Sequence, residues 1–252
     1  MIIMRCKLRS RSIVLSAFIL GSLLGFQRVN AAPSSQEINQ IQFDVGERSE
    51  DAMLKYLVPA LVKAGKAGRI YYEASCPPGE LIPNIHYTFP TINLHPPSKD
   101  VSGLAAVREI FQDNPNIEVE ERPSGIIRIK IGKVFNTILQ TNISLIAVPP
   151  EGVYDSHSAI TAIEMSKEVR AATSKLDLRL NNGMFDGGIT PPGEGRPHLS
   201  SPMTNLTMDE ALDIVAQTFK EIIVYGACPN QHYYTLSETG GPNSDYMSDS
   251  PP

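Results

Sequence analysis

Apolar and polar residues follow different spacings in the first part of the chain, and each spacing predicts an element. Residues alternate over Gln40–Val45, which predicts a strand, and the β-like run Arg69–Glu73 predicts another. Between them, apolar residues recur at helical spacing from Ser49 to about Lys66, which predicts a helix with one buried stripe. Pro59 lies inside this helix and is expected to kink it or split it in two.

The pattern continues to residue 131 with a second helix and a hairpin. Residues 77–97 hold six prolines and predict an extended connection, because proline does not fit a central strand. Ser102–Gln112 has helical spacing, and Ile117–Glu121 and Ile126–Ile131 alternate on either side of a turn. We therefore predict an α+β fold, in which residues 38–132 form a small two-layer β-α-β / α-β-β module.

The rest of the chain predicts a less regular α+β part over residues 133–236. A Gly- and Pro-rich loop is expected at 182–204, and the tail 237–252 is expected to be disordered. A capping-box pattern at Thr207–Glu210 marks the start of a helix. The predicted elements are strand Ile143–Val148, helix Ser158–Thr173, strand Lys175–Leu180, helix Thr207–Lys220 and strand Ile222–Tyr225.

The first 31 residues have the features of a secretory signal peptide. Four basic residues precede an apolar run from Ile13 to Phe26, and the sequence Val-Asn-Ala ends at Ala31, where we expect cleavage. A retained membrane anchor is the alternative, but the run is shorter than the roughly 20 residues that span a bilayer. We therefore predict a periplasmic or extracellular protein without stable membrane insertion.

Charge excludes one class of partner. The chain has 22 Lys and Arg against 27 Asp and Glu. Loss of residues 1–31 would remove five basic residues and no acidic ones, which makes the remaining chain more acidic. An acidic exported protein has little attraction for nucleic acid, so we expect no nucleic-acid partner.

Two cysteines remain after the leader, and their surroundings are alike. Cys76 and Cys228 each follow a β-like run and precede a proline. An even number of cysteines in an oxidising compartment favours one disulfide between them. Two separate buried thiols are the alternative.

Motifs of common enzymes and cofactor sites are missing from the sequence. It contains no G-x-S-x-G, H-E-x-x-H, Walker A or G-x-G-x-x-G pattern, and no two of its five histidines have the spacing of a local metal site. Asp155 or Ser156 is expected to cap a helix, since adjacent residues rarely adopt triad geometry. The sequence therefore predicts no catalytic, cofactor-binding or metal-ligating residues.

Tyrosines and glutamates suggest two surfaces. Tyrosine is enriched at protein interfaces, and one interaction surface could be formed by Tyr71, Tyr72, Tyr225, Tyr233 and Tyr234. An aromatic-rich face of the sheet is the alternative reading of these five tyrosines. Glu118 and Glu120 are expected on a solvated face, opposite Arg128 and Lys130 across the hairpin.

Five segments resemble the short N-terminal (STN-like) module of secretins and TonB-dependent receptors. They are Ile41–Val45, Ser49–Leu54, Ala67–Tyr72, Gly103–Ile110 and Asn116–Ile131. The resemblance covers residues of about 40–131 and follows the family's order of strand, helix, strand, helix and closing hairpin. It implies a small α+β module of the bacterial envelope that works by protein–protein contact.

Together these features predict an exported, non-catalytic interaction module of the bacterial envelope that is stabilised by one disulfide. Its partner would be one or more envelope proteins, which the sequence does not identify. The alternative is a secreted hydrolase whose site is assembled from distant His, Asp and Glu residues. Leu206–Asp213 also resembles the start of a helix of the same module, so a partial second copy in the C-terminal part is left open.

Overall fold

A computed structural model describes residues 49–74, 89–150, 152–180 and 196–239 of the protein. The helices are α1 (Ser49–Lys63), α2 (Gly103–Ile110), α3 (Ser156–Glu164), α4 (Lys167–Lys175) and α5 (Met208–Phe219). The strands are β1 (Ala67–Glu73), β2 (Ile117–Glu121), β3 (Ile126–Ile131), β4 (Asn142–Ile146), β5 (Arg179–Leu180), β6 (Met203–Thr207), β7 (Ile222–Cys228) and β8 (Tyr233–Thr239). The α+β class predicted from the sequence is confirmed.

Six of these strands form one mixed sheet in the order β2-β3-β1-β7-β8-β5. β1 lies inside the sheet with β3 and β7 as parallel neighbours, while β2 is antiparallel to β3 and β8 is antiparallel to β7. β5 pairs in parallel with β8, and β4 and β6 form a separate antiparallel pair. β1 and β7 therefore join the N-terminal and C-terminal parts of the chain in one sheet.

Helices cover both faces of this sheet. On the first face, α1 and α2 pack over alternate strand residues such as Ile70, Ile129 and Val224. On the second face, α3 and α5 pack over the intervening residues, such as Tyr71 and Tyr225. Because both faces are covered, nearly every residue of β1, β3 and β7 is buried, as expected of parallel strands inside a sheet.

The two parts of the chain repeat one arrangement, and we call residues 49–132 the N-terminal half and residues 142–239 the C-terminal half. In each half a helix leads into a strand, and a later helix leads into a hairpin whose second strand pairs in parallel with that first strand. The order β2-β3-β1 of the N-terminal half is thus matched by the order β7-β8-β5 of the C-terminal half. The strand directions are reversed and the helices lie on the opposite face. The halves are therefore related by a half-turn about an axis that runs across the strands in the sheet, combined with a shift of three strands along that axis.

Several predicted bounds need correction. Helix α1 runs without a break through Pro59, so the predicted split is wrong. The predicted helix Ser158–Thr173 is two helices, α3 and α4, with Ser166 between them at the start of the second. The predicted strand Lys175–Leu180 is reduced to its last two residues. The predicted tail begins too early, because β8 extends to Thr239.

The predicted domain division also changes. The module predicted over 38–132 does not have a sheet of its own, because β1 pairs with β7 over six residues. The predicted loop 182–204 ends inside β6, which starts at Met203. The leader 1–31, the strand predicted at Gln40–Val45, most of that loop and residues 240–252 lie outside the described residues. None of the described helices is long and apolar enough to cross a membrane.

Candidate functional site

Strand β2 is a free edge of the large sheet within the described residues, because it pairs with β3 alone. Gly132 N donates to Asn116 O at 2.9 Å and Arg122 N donates to Ile126 O at 2.9 Å, which marks the hydrogen-bonded pairs at the two ends of the hairpin. In an antiparallel pair these alternate with pairs whose backbone groups point outward. Val119 therefore directs its N–H and C=O away from β3, toward a position that an additional strand could occupy.

The edge is acidic. The side chain of Glu118 is 77% exposed, and Glu120 and Lys130 are about half as exposed. Lys130 Nζ lies 3.5 Å from Glu118 and 4.0 Å from Glu120, as expected across the hairpin. The expected solvated position of Arg128 is wrong: it is 8% exposed, because α5 covers the second face at this point. Arg122 lies 3.8 Å from Glu120 and Lys66 lies 2.6 Å from Glu121, so each glutamate of β2 has a basic neighbour, and Glu118 is the most exposed of the three.

A crevice of about 480 Å³ adjoins the start of β2. It opens at the carboxyl ends of β1 and β3, where the chain leaves β1 toward α2 on the first face and leaves β3 toward β4 and α3 on the second. Such a switch of direction is where open α/β sheets bind ligands. Its lining includes Glu73, Ile92, Asn116, Ile117 and Lys133, so polar and apolar groups share the crevice.

A buried network of charges fixes α5 to β1 and β3. Arg69 on β1 is fully buried, and its guanidinium lies 3.1 Å from Asp209 Oδ1 and 2.9 Å from Asp213 Oδ1. Arg128, its register partner on β3, lies 2.9 Å from Asp209 Oδ2 and also bonds Asp213. Tyr71 donates its hydroxyl to Asp209 Oδ1 at 2.9 Å, and its ring lies 5.0 Å from the Arg69 guanidinium.

This network balances two cations against two anions, which is why it can be buried. Burial raises the pKa of the Tyr71 phenol, so the hydroxyl stays protonated and remains a donor. The terminal guanidinium nitrogens of Arg69 and Arg128 on the N-terminal half contact Asp209 and Asp213 on the C-terminal half, while the Nε atoms of both arginines are buried without a hydrogen-bond partner within the described residues. The network is therefore part of the structure that joins the halves.

Three glutamates and a histidine meet on the second face beside the end of β8. His157 Nδ1, at the start of α3, lies 3.1 Å from Glu238 Oε1 on β8. Glu164 lies two turns further along α3, and Glu221 precedes β7. Within the described residues, Glu164 Oε1 and Glu221 Oε2 are buried without a hydrogen-bond partner. We call these four residues the carboxylate cluster.

Burial changes the acidity of this cluster. It raises the pKa of Glu164 to about 8, and the charge of Glu238 adds to the effect. Burial also raises the pKa of Glu221 to about 7 although a hydrogen bond from Ser156 opposes it. The pKa of Glu238 is raised by burial too, against the opposing effect of His157. Carboxyl groups that titrate near neutrality can give or take protons in acid–base chemistry.

The five predicted interface tyrosines do not form a surface. Tyr71, Tyr225 and Tyr234 are buried on the second face, where the rings of Tyr225 and Tyr234 lie 6.4 Å apart. Tyr72 is buried on the first face, and Tyr233 is half-buried beside the same core. The prediction of an exposed tyrosine surface is wrong, because the strand residues point alternately into two covered faces. The alternative, aromatic residues on the faces of a sheet, is what the structure has.

The predicted disulfide is only half within the described residues. Cys228 ends β7 and is 1% exposed, whereas Cys76 lies outside the described residues. Ala74 N donates to Ala227 O at 2.7 Å, so the described end of the N-terminal strand lies beside Cys228. The Cys76–Cys228 bond stays a prediction.

Three of the four histidines in the described residues lie beside separate acidic side chains, and His198 lies beside Arg196 O instead. His95 Nε2 lies 2.6 Å from Asp113, and His232 Nδ1 lies 3.5 Å from Asp177. The lining of the crevice contains no histidine, and no group of His, Cys, Asp and Glu in the described part of the chain could hold a metal ion. The predicted cap is confirmed, because the Asp155 side chain accepts from Ser158 N at 2.7 Å.

Sequence reasoning missed the buried network and the carboxylate cluster. One signal was present: Asp209 and Asp213 are four residues apart beside the buried stripe of α5, so both face the sheet. Arg69 gave a second signal as the one charge inside an otherwise apolar strand interior. The carboxylate cluster gave none, since Glu164 and Glu221 are single acids at the ends of elements.

Comparison with known proteins finds no match. No protein-family model, no curated protein and no solved structure is similar enough to this chain to be matched to it. The function must therefore be argued from the arrangement of its own residues.

Proposed function

We propose that the protein is an exported, non-catalytic interaction module of the bacterial envelope that binds a partner segment as an additional strand on β2. One observation carries the proposal: the outer edge of β2 pairs with no strand of the described residues, and Val119 directs its N–H and C=O outward there. Main-chain hydrogen bonds would supply affinity, as in other cases of strand addition.

Specificity would come from the surroundings of the edge. Glu118 and Glu120 favour basic side chains at alternate positions of the added segment, because cross-strand pairs of opposite charge are stabilising. The crevice adjoins the edge at Ile117 and offers room for one flanking side chain of the partner. Export follows from the signal-peptide features of residues 1–31, and a Cys76–Cys228 disulfide would stabilise the module after export.

Selection of peptides from a phage-displayed library tests this proposal. We compare the natural protein with Val119→Pro, which removes the outward N–H, and with Val119→Ala, which keeps that N–H but loses side-chain packing. Proline is tolerated at an edge position whose N–H faces solvent, so the fold should survive. We expect basic peptides that bind the natural protein and Val119→Ala but lose at least about tenfold in affinity for Val119→Pro, the equivalent of one main-chain hydrogen bond. Peptides that bind all three proteins equally would contradict strand addition.

The second candidate function is a hydrolase, and the carboxylate cluster is the observation that favours it. Glu164 is protonated at neutral pH, and Glu238 contacts His157. Fluorogenic ester, glycoside and peptide substrates distinguish the two candidates. Turnover that disappears in Glu164→Gln would favour the hydrolase, and absence of turnover with every substrate would leave the interaction module as the better account.

A further inference from the structure

The two halves of the chain join each other by pairing one edge strand of each half. β1 of the N-terminal half and β7 of the C-terminal half pair in parallel over six residues, from Gly68 opposite Ile222 to Glu73 opposite Ala227. Two more backbone bonds extend this contact, from Gly68 N to Glu221 O at 3.0 Å and from Ala74 N to Ala227 O. We call this parallel pairing the seam.

Each half uses only one of its two edges in the seam. By the repeated arrangement, β5 of the C-terminal half corresponds to β1, and β2 of the N-terminal half corresponds to β7. Within the described residues, β5 pairs with β8 alone and β2 pairs with β3 alone. The two free edges of the molecule are thus the counterparts of the two strands that meet in the seam.

We propose that a second copy of this chain is the partner of β2, and that β5 of one molecule pairs in parallel with β2 of the next as β1 pairs with β7 in the seam. This inference rests on the proposed function of β2 as the acceptor of an added strand, and it names the segment added. The strand directions agree with this pairing. If the half-turn and shift that relate the two halves are applied once more, β2 of a second molecule lies beside β5 of the first and runs parallel to it.

Charge favours this head-to-tail pairing over the symmetric ones. The β2 edge carries Glu118, the most exposed of its glutamates, whereas the β5 edge begins with the exposed Arg179. Exposed Lys175 and Asp177 precede Arg179, and Asp177 lies 3.5 Å from His232 Nδ1. Two β2 edges would bring like charges together, which is destabilising. Glu118 of one molecule meets Arg179 of another when β2 of the first faces β5 of the second. Since each molecule would then offer one free edge at either end, the assembly is a linear chain of molecules or a ring.

Sedimentation velocity of the full chain over a range of protein concentrations tests the inference. We expect the natural protein to form species larger than a monomer as concentration rises, and less so at high salt, because exposed charges are screened. Glu118→Lys and Arg179→Glu should each weaken association by at least about tenfold, since each places like charges on facing edges. Asp100→Lys is the control: it lies at neither edge, in the turn before α2, and changes the net charge by as much as Glu118→Lys, so it should have no effect on association.

Mixing the two variants gives the decisive result. Glu118→Lys presents a basic β2 and Arg179→Glu presents an acidic β5, so an equimolar mixture should associate as the natural protein does. Circular dichroism of each variant checks that the fold is retained. Natural protein that stays monomeric, or variants that associate as well as the natural protein, would overturn the inference. If the monomeric protein still binds selected peptides at β2, the proposed function stands without self-assembly. If Val119→Pro changes neither self-association nor peptide binding, both the self-assembly and the proposed strand addition on β2 are contradicted.

Discussion

At the scale of single residues, the molecule buries charge in two different ways. Arg69 is fully buried but faces two carboxylates, so its charge is compensated. Glu164 is 7% exposed and its charge has no such partner, so its pKa rises instead. The sequence did not predict either outcome, because Arg69 meets Asp209 from 140 positions away and nothing local distinguishes Glu164 from a surface acid.

Glu164 makes stability depend on pH. Its pKa in the folded chain is about 8 against an ordinary value of 4.5, so the folded state binds the proton more tightly than the unfolded state. The free energy of unfolding should therefore fall as pH rises from about 4.5 to 8. Glu164→Gln, measured by urea unfolding, should remove part of this fall and stabilise the protein at pH 8 by at least about 1.4 kcal/mol, the equivalent of one pKa unit.

Glu118→Gln provides the control for that measurement, because its exposed side chain contributes little to stability. If Glu164→Gln and the natural protein lose stability in parallel between pH 5 and pH 8, the buried position of this carboxyl in solution is contradicted.

At the scale of elements, the sequence pattern correctly predicted those features that depend on residues close together in the chain. The hairpin Ile117–Ile131 was predicted from alternation and is confirmed, because its two strands are neighbours in sequence and pair in antiparallel register across a short turn. The capping box at Thr207 and Glu210 is confirmed, because its two hydrogen bonds join residues only three positions apart. β8 was missed because its polar alternate positions, such as Ser237, merge with a Gly- and Ser-rich tail in composition. Alternation alone did not predict that the second face of β1 is also covered.

Close contact between β1 and β7 explains why residue 226 is a glycine. Gly226 lies opposite Tyr72 in the register, and a Cβ added at Gly226 would lie 2.5 Å from Tyr72 Cζ and 2.9 Å from Thr235 Cγ2. Tyr72 is buried and packs edge-on against Phe89 with ring centroids 4.8 Å apart, so it has no room to move.

Gly226→Ala should therefore destabilise the protein by roughly 1–3 kcal/mol, the usual cost of overpacking a core. The midpoint of urea unfolding measures this change. The double variant Gly226→Ala/Tyr72→Leu should lose less stability than the sum of the two single variants, because the shorter side chain relieves the contact. An unchanged midpoint for Gly226→Ala would be inconsistent with the described seam.

The predicted disulfide would reinforce the same end of the seam. Cys76 follows Ala74 by two residues, a reach of about 7 Å, and the Cα atoms of a disulfide are roughly 4.4–6.8 Å apart. Because Ala74 bonds Ala227 next to Cys228, the bond is within reach. Mass spectrometry of unreduced, digested protein should show a Cys76–Cys228 linked peptide that disappears on reduction. Two thiols that are alkylated without reduction would refute the bond.

At the scale of the whole molecule, a repeated arrangement explains both the shared sheet and its free edges. In the sequence, the similar surroundings of Cys76 and Cys228 matched the strand before Cys76 with the strand before Cys228. The topology instead matches α5 and β7 with α2 and β2, since each pair leads into a hairpin. Order of features along the chain could not distinguish these alternatives, because only the strand pairing shows which strand occupies which position in the sheet.

The central claim is that β2 accepts an added strand, and hydrogen exchange of its backbone amides tests it most directly. Exchange is measured by NMR with and without a peptide selected on the natural protein. Exchange at Val119 should slow on binding, while exchange at Glu118 and Glu120, whose backbone groups already face β3, should change little. Protection confined to other parts of the molecule, or no protection at Val119 in a saturated complex, would contradict the claim.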